Sequence, residues 1–330
     1  MKTYNVKLGS LVLAAMLLTG TTLASNALGA RKIKWAHVYE TSEDYHKQAV
    51  WAAEEITKRS DGRYQVSVFP SSSLGKEADI NQGLALGTVD IIYTGQSFAA
   101  QTYGPLALSD VPYVFRDFDH WQKYAKSDFF AEMADGYAKA SGGHAIVADV
   151  YYGQRHVTSN KPIKTPEDMK GLKIRVPNAP LYRMFPEAVG GKTSPIAFAE
   201  VYLALQQGVV DAQENPLPTI KAKKFYEVQK YINLTGHLTG SNLIIIGAPL
   251  WKRLSDEDKA MFSEVLKKAA ERVTADIVNA ENELVEWFRS QGVTVLEIDR
   301  KPFRDMTVPF HMGAAATWTQ EQYDKLQAIQ

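Results

Sequence analysis

Two arginines are the residues in this sequence best equipped to hold a small anion. Arg175 lies in Gly171-Leu172-Lys173-Ile174-Arg175-Val176-Pro177-Asn178, and Arg155 in Tyr151-Tyr152-Gly153-Gln154-Arg155-His156-Val157. A guanidinium keeps its charge at any physiological pH and offers a planar fork that matches a carboxylate. The ordinary alternative for each is an ion pair that serves only the fold. Asn215 precedes Pro216 in Ala212-Gln213-Glu214-Asn215-Pro216. Proline forces its predecessor to be extended, so Asn215 is presented from a strand end, where its amide can bond a carboxylate or a hydroxyl. An ordinary turn asparagine reads the same way. Glu77 follows the polar loop 71–76. A loop feeding a helix can offer N–H groups to an oxygen ligand; the plainer role for Glu77 is a helix N-terminal acid. His37 stands with Trp35 and Tyr39 at the end of a first strand, where α/β proteins often place ligand contacts. Trp35 fits the core better.

Catalytic chemistry has less to build on. Gly95-Gln96-Ser97-Phe98-Ala99 nearly matches the G-x-S-x-G elbow of serine hydrolases, with Ala99 in place of the last glycine. Asp149 and His237 follow in a permitted order, but order alone assigns no triad. No G-x-G-x-x-G, P-loop or H-E-x-x-H occurs, and the seven histidines have no metal-ligand spacing. Cysteine is absent, which removes thiolate nucleophiles, thiolate metal sites and disulfides together. No cofactor, metal or enzymatic activity is expected. Basic and acidic residues number 37 each, so net charge gives no reason to expect nucleic acid.

The elements that must position these residues alternate between helix and strand. An alternating strand at 33–38 leads to an amphipathic helix at 45–60, a strand at 64–69 stopped by Pro70, a helix at 77–86 closed by Gly87, and a short strand at 89–93. This pattern predicts α/β layers. Leu84-Ala85-Leu86-Gly87-Thr88-Val89-Asp90 is echoed by Leu203-Ala204-Leu205-Gln206-Gln207-Gly208-Val209-Val210-Asp211. In both, a helix ends at a glycine suited to a left-handed cap and a Val-Asp strand follows. The echo is either a common α/β unit or a sign of two lobes built alike. Thr165-Pro166-Glu167-Asp168 is a capped helix start. Strand 172–176 puts Leu172, Ile174 and Val176 on one face and Lys173 and Arg175 on the other. From Ser255, helical periodicity runs to Phe288, a length of about 50 Å, with a break near Asn279 as the alternative. Lys2 and Lys7, the apolar run 8–18 and Ser25-Asn26-Ala27 together predict a cleaved signal peptide over residues 1–27.

The chain also resembles a known family. Pro70-Ser71-Ser72-Ser73-Leu74-Gly75-Lys76-Glu77, Lys170-Gly171-Leu172-Lys173-Ile174-Arg175-Val176-Pro177-Asn178, and the stretch from Phe198-Ala199-Glu200-Val201-Tyr202 through Asn215-Pro216 to Lys223-Lys224-Phe225-Tyr226 are similar to the periplasmic substrate-binding proteins of tripartite ATP-independent periplasmic (TRAP) transporters. The resemblance implies a two-lobed periplasmic binding protein fold with a long lobe-spanning helix. The expected lobes are 28–152 plus 241–280, and 153–240 plus 281–330. It implies that Arg175 is the principal carboxylate-binding arginine, Arg155 a second one used by a subset that includes sialic-acid binders, and Asn215 the amide completing the clamp. Phe198 matches an aromatic that packs on the ligand, and Glu77 a helix-start position that contacts its far end. Sialic-acid binders carry an acid after the strand matching 89–93; Thr94-Gly95-Gln96-Ser97 has none. With Glu77 and His37 to read hydroxyls, the expected ligand is a hexuronate or related aldonate. Sialic acid or a C4-dicarboxylate is the alternative. The implied partners are the ligand and the TRAP membrane permease subunits. A ligand sensor for a signalling receptor and a serine hydrolase are the other classes.

Overall fold

The computed structural model describes residues 30–330. The predicted signal peptide lies outside the described residues. Nine strands share one mixed sheet: β1 (Arg31–Ala36), β2 (Tyr64–Phe69), β3 (Ile91–Gly95), β4 (Ala145–Ser159), β5 (Lys173–Val176), β6 (Lys192–Pro195), β7 (Ala212–Pro216), β8 (Tyr231–Ile246) and β9 (Thr294–Leu296). Their order is β2-β1-β3-β8-β4-β7-β5-β6, with β9 also on β8. β4 and β8, 15 and 16 residues long, pair antiparallel from Ala145↔Ile246 to Ser159↔Tyr231. One end of that ribbon carries β3, β1 and β2; the other carries β7, β5, β6 and β9. The two half-sheets are therefore joined by continuous strands, without a flexible tether.

Each half-sheet has its own apolar core. Trp35, Ile92, Ile244 and Phe262 belong to the first. Val201, Ile220, Phe225 and Phe288 form one cluster of the second lobe, and Ile174, Phe185 and Phe303 another. The helix Asp256–Ser290 runs unbroken for 35 residues past Asn279. Its Phe262, Val265, Ala269, Val273 and Ile277 pack in the first core, and Leu284 and Phe288 in the second. A single apolar stripe at helical spacing thus braces both lobes, each buried large side chain contributing about 1.5–3 kcal/mol. Ser255 caps this helix by accepting from the Asp258 N–H at 3.1 Å. The C-terminal helix Gln320–Ala328 returns to the first lobe, where Trp318 and Leu326 are buried, although the sequence reading placed 281–330 with the second. Among the described residues no helix is long and apolar enough to cross a membrane.

The echoed sequence is an echoed structure. Gly87 and Gly208 cap their helices at φ +72° and +69°. Asp90 then accepts from the Lys34 N–H of β1 at 2.8 Å, and Asp211 from the Lys173 N–H of β5 at 3.1 Å. Each aspartate ties its lobe's incoming strand to a neighbour. This use of Asp90 delays β3 to Ile91, two residues later than predicted.

Where the ribbon passes from one lobe to the other it bulges, between Tyr151 and Gly153. Gly153 has φ +111°, and a Cβ there would lie 2.8 Å from Pro216 Cβ. Glu281 of the long helix fastens the bulge, accepting from Gln154 N–H at 2.6 Å and from the Tyr151 hydroxyl at 2.9 Å.

Candidate functional site

The ends of β1, β5 and β7 and the start of the helix Glu77–Leu86 converge on a cavity of about 160 Å³ between the lobes. Glu77, Arg175, Phe198 and Asn215 all line it, as do Tyr39, Tyr152, Tyr182 and Asn242.

Arg175 dominates the electrostatics. β5 alternates as expected, with Ile174 in the core and Arg175 turned to the cleft. The side chain is only 2 % exposed. Nε and Nη2 donate to the Ile196 carbonyl at 2.9 and 2.7 Å, which fixes the plane of the fork. Nη1 is buried without a partner. Among the described residues no carboxylate lies within ion-pair distance of this guanidinium. Burial lowers its pKa to about 10, against the pull of Glu214. A buried cation without a counter-ion is costly, so the site is poised for an anion.

Asn215 stands beside it. β5 pairs parallel with β7 through Arg175↔Gln213, and Asn215 is two residues on, on the same face of the strand. Its Nδ2 donates to Gln213 Oε1 at 2.6 Å, leaving the second N–H of the amide for another acceptor.

Glu77 opens its helix as predicted. Its Oε1 accepts from Gly95 N–H at 2.7 Å and from the Thr94 hydroxyl at 3.1 Å, and Asn81 donates to that same hydroxyl oxygen at 2.8 Å. Burial raises Glu77 to about 7, only partly opposed by those donors and by Arg175. The carboxyl can therefore donate or accept near neutral pH. A Cβ on Gly95 would meet Tyr182 Oη at 2.9 Å, so the missing side chain lets Tyr182 close that end of the cavity.

Two expected contacts are placed elsewhere. Arg155, expected on the ligand, spends its fork on Glu214: Nη2 to Oε1 at 2.7 Å, Nε to Oε2 at 2.5 Å, and Nη2 to the Glu214 carbonyl at 2.8 Å. Burial would raise the Glu214 carboxyl, but Arg155 outweighs it and holds it at about 2. His237 Nε2 completes the group, 3.2 Å from Glu214 Oε2. Arg155 does not line the cavity; it backs it, 5.2 Å from the Tyr182 ring and 5.8 Å from that of Tyr152. His37 is 1 % exposed and also off the wall. Its Nδ1 accepts from Tyr39 N–H at 3.2 Å, so Nε2 carries the proton facing His46 Nδ1 at 3.3 Å. Burial and His46 lower its pKa to about 3, so it is neutral. The end of β1 reaches the cavity through Tyr39 in its place.

The hydrolase alternative fails on geometry. Ser97 is buried, and its hydroxyl and N–H both donate to Asp110, at 2.7 and 2.9 Å. The serine is held by an acid, with no histidine as base.

Tyr182 and Asn242 escaped the sequence reading. Asn242 precedes the buried run Leu243–Ile246 on β8, and its Nδ2 is buried without a partner. One amide ahead of four apolar core residues was the available signal. Tyr182 follows the Pro177-Asn178 turn and had none.

The comparisons identify the family. The profile of bacterial extracellular solute-binding protein family 7 matches residues 35–316. The sialic acid-binding periplasmic protein of Vibrio cholerae is 36% identical over 285 residues, 86% of this chain and 88% of its own. A TRAP periplasmic solute-binding protein from Roseobacter denitrificans, solved with L-galactonate, superposes with a TM-score of 0.84 at 32% identity, covering 90% of this chain and 98% of that one. A Polaromonas TRAP solute-binding protein bound to D-erythronate gives 0.86 at 30%, covering 91% and 99%. The chain therefore belongs to the bacterial extracellular solute-binding proteins of family 7, the non-enzymatic binding components of TRAP transporters.

Proposed function

We propose that the cleft captures a monocarboxylate sugar acid, a hexuronate such as glucuronate or galacturonate or a related aldonate, in the periplasm and delivers it to the TRAP permease subunits. The observation that carries this reading is the unpartnered Nη1 of a fully buried Arg175. A ligand carboxylate supplies both the missing acceptor and the missing negative charge. Asn215 donates to the same carboxylate, and Phe198 covers the ligand. Farther along the cavity Glu77 and Asn242 read hydroxyls, the first as acceptor or donor and the second as donor. A simple dicarboxylate offers these two groups no hydroxyl. Two structural relatives carry aldonates, which fits a carboxylate at one end and hydroxyls along the chain. Sialic acid is the second reading, favoured by the Vibrio relative. Against it, Thr94-Gly95-Gln96-Ser97 holds no acid of the kind the resemblance implies for sialate binders after this strand, and Tyr182 closes on Gly95.

The test is a thermal-shift series on protein unfolded and refolded to strip any bound ligand. Glucuronate, galacturonate, galactonate, sialate, succinate and the uronate methyl esters are compared. A ligand that binds only the native state raises the melting temperature. The free uronate or aldonate should raise it and the ester should not. A shift with sialate or succinate alone overturns the sugar-acid assignment.

A further inference from the structure

Two ion pairs bridge the lobes beside the cavity, and they differ in kind. Lys76 and Glu200 meet at 2.6 Å, but both side chains are more than half exposed, so that pair is worth little. Lys223 and Glu40 meet at 2.5 Å with only 12 % and 30 % of their side chains exposed. Glu40 follows β1 on the first lobe. Lys223 follows the helix Leu217–Ala222, whose Leu217 and Ile220 are in the core of the second.

The second pair is built into the site from both sides. Glu40 Oε2 accepts from the Ser71 hydroxyl at 2.8 Å, and its N–H donates to Glu43 Oε2 at 2.7 Å. Glu43 Oε1 in turn accepts from the Thr219 hydroxyl at 2.9 Å, a further bond between the lobes. Thr219 Oγ1 lies 2.8 Å from Oη of the cavity-lining Tyr152. The Lys223 ammonium also sits 5.0 Å from the centre of the Phe198 ring, whose other cationic neighbour is Arg175 at 6.0 Å. Phe198 touches Tyr39 of the first lobe edge-on at 6.3 Å. Opening the cleft separates Lys223 from Glu40, Thr219 from Glu43 and Phe198 from Tyr39 together.

We infer that Lys223 is a positioning residue for capture: by pairing with Glu40 across the cleft and holding the Phe198 ring over the cavity, it latches the closed form and slows ligand release. The inference rests on the cleft being the solute site, and it does not depend on which acid fills it. Because the latch forms whenever the lobes meet, around a ligand and in the closed fraction of the ligand-free protein, its loss acts on the dissociation rate and spares association to the open form. It also leaves the ligand-free fold intact.

The probe is whichever acid of the thermal-shift series most stabilises the natural protein, so a wrong sugar-acid assignment shows in the choice of probe and a wrong latch shows in the kinetics. In stopped-flow measurements Lys223→Met should release the probe about five- to tenfold faster, with association within about twofold. The ligand-free melting temperature should stay where it was. Glu40→Lys should be at least as damaging, and the exchanged pair Glu40→Lys with Lys223→Glu should recover most of the slow release. Raised salt should speed release from the natural protein and not from Lys223→Met. An unchanged release rate in Lys223→Met, or an exchanged pair no better than its single variants, overturns the proposal. If no acid of the series binds, the ligand-free protein carries the test. The chain lacks cysteine, so spin labels at Leu86→Cys and Leu203→Cys, both exposed and one on each lobe, report the spacing of the lobes. Lys223→Met should deplete the short distances, and an identical distribution in both proteins overturns the latch.

Discussion

Arg155 and Arg175 are twenty positions apart in sequence, equally buried, and opposite in electrostatic state. Arg155, in the middle of β4, has its counter-ion: Glu214 takes two guanidinium nitrogens, and the ion pair backs the tyrosines of the wall. Arg175, on β5, has only a carbonyl for two of its nitrogens and nothing for the third. Burial costs both charges dearly, and only one is repaid within the chain. On the function proposed above, the buried charge with its own partner serves the fold, and the one without is completed by the ligand.

The comparison breaks first at Arg175. Arg175→Ala should weaken acid binding more than about 100-fold, the loss of a desolvated, hydrogen-bonded charge pair. Its ligand-free stability should hold or rise, because an unpaired buried charge has gone. Calorimetry and chemical denaturation on the same sample give both numbers, and a large loss of stability with binding retained would reverse the two arginines' roles. Arg155→Met should do the converse. It strands Glu214 as a buried anion and should cost about 3–5 kcal/mol of stability. Adding Glu214→Leu should recover most of that, since both charges are then gone. Denaturant midpoints of the single and double variants decide it.

The sequence disclosed the frame more readily than the contacts. Periodicity located the helix at Glu77, the brace from Ser255 and the strand presenting Arg175, because each is set by local pattern and by capping residues within a few positions. The echoed Leu-Gly-Val-Asp unit marked the duplicated construction, down to the aspartate that ties neighbouring strands. The partner of Arg155 was invisible for a different reason. Glu214 is 59 positions away, and the pairing depends on the register of β4 against β7, which no local pattern encodes. His37 is off the wall on the same ground: it and Tyr39 both follow β1, two positions apart, and which of them reaches the cavity is set by tertiary packing, His37 being held against His46. The family resemblance carried Phe198 and Asn215 to the cavity wall, and could not tell a wall residue from the one behind it.

Glu77 offers the smallest effect and the sharpest test of the comparison, because it is the acid that could silently pair with Arg175. Burial raises it to about 7 in the folded protein, against about 4.5 in the open chain. Between those values the native state keeps a proton that the unfolded state has released. Glu77 therefore favours folding fully below about pH 4.5, and its contribution is lost as pH rises to about 7 and is constant above. The loss is at most about 3 kcal/mol. Glu43, Asp149 and Glu281 are raised to about 7 by the same cause and act in the same direction, whereas the histidines, His37 foremost, are lowered by burial and act in the opposite one. The measurement is therefore the difference in the pH slope of the ligand-free melting temperature between the natural protein and a Glu77 variant. Glu77→Gln should remove one proton's share of the slope and leave the rest. If the slope is unchanged, Glu77 is ionised throughout, its charge is being compensated, and the nearest candidate is the Arg175 guanidinium. Arg175 would then be a paired cation like Arg155, and affinity for a ligand carboxylate would have to come from displacing that internal partner.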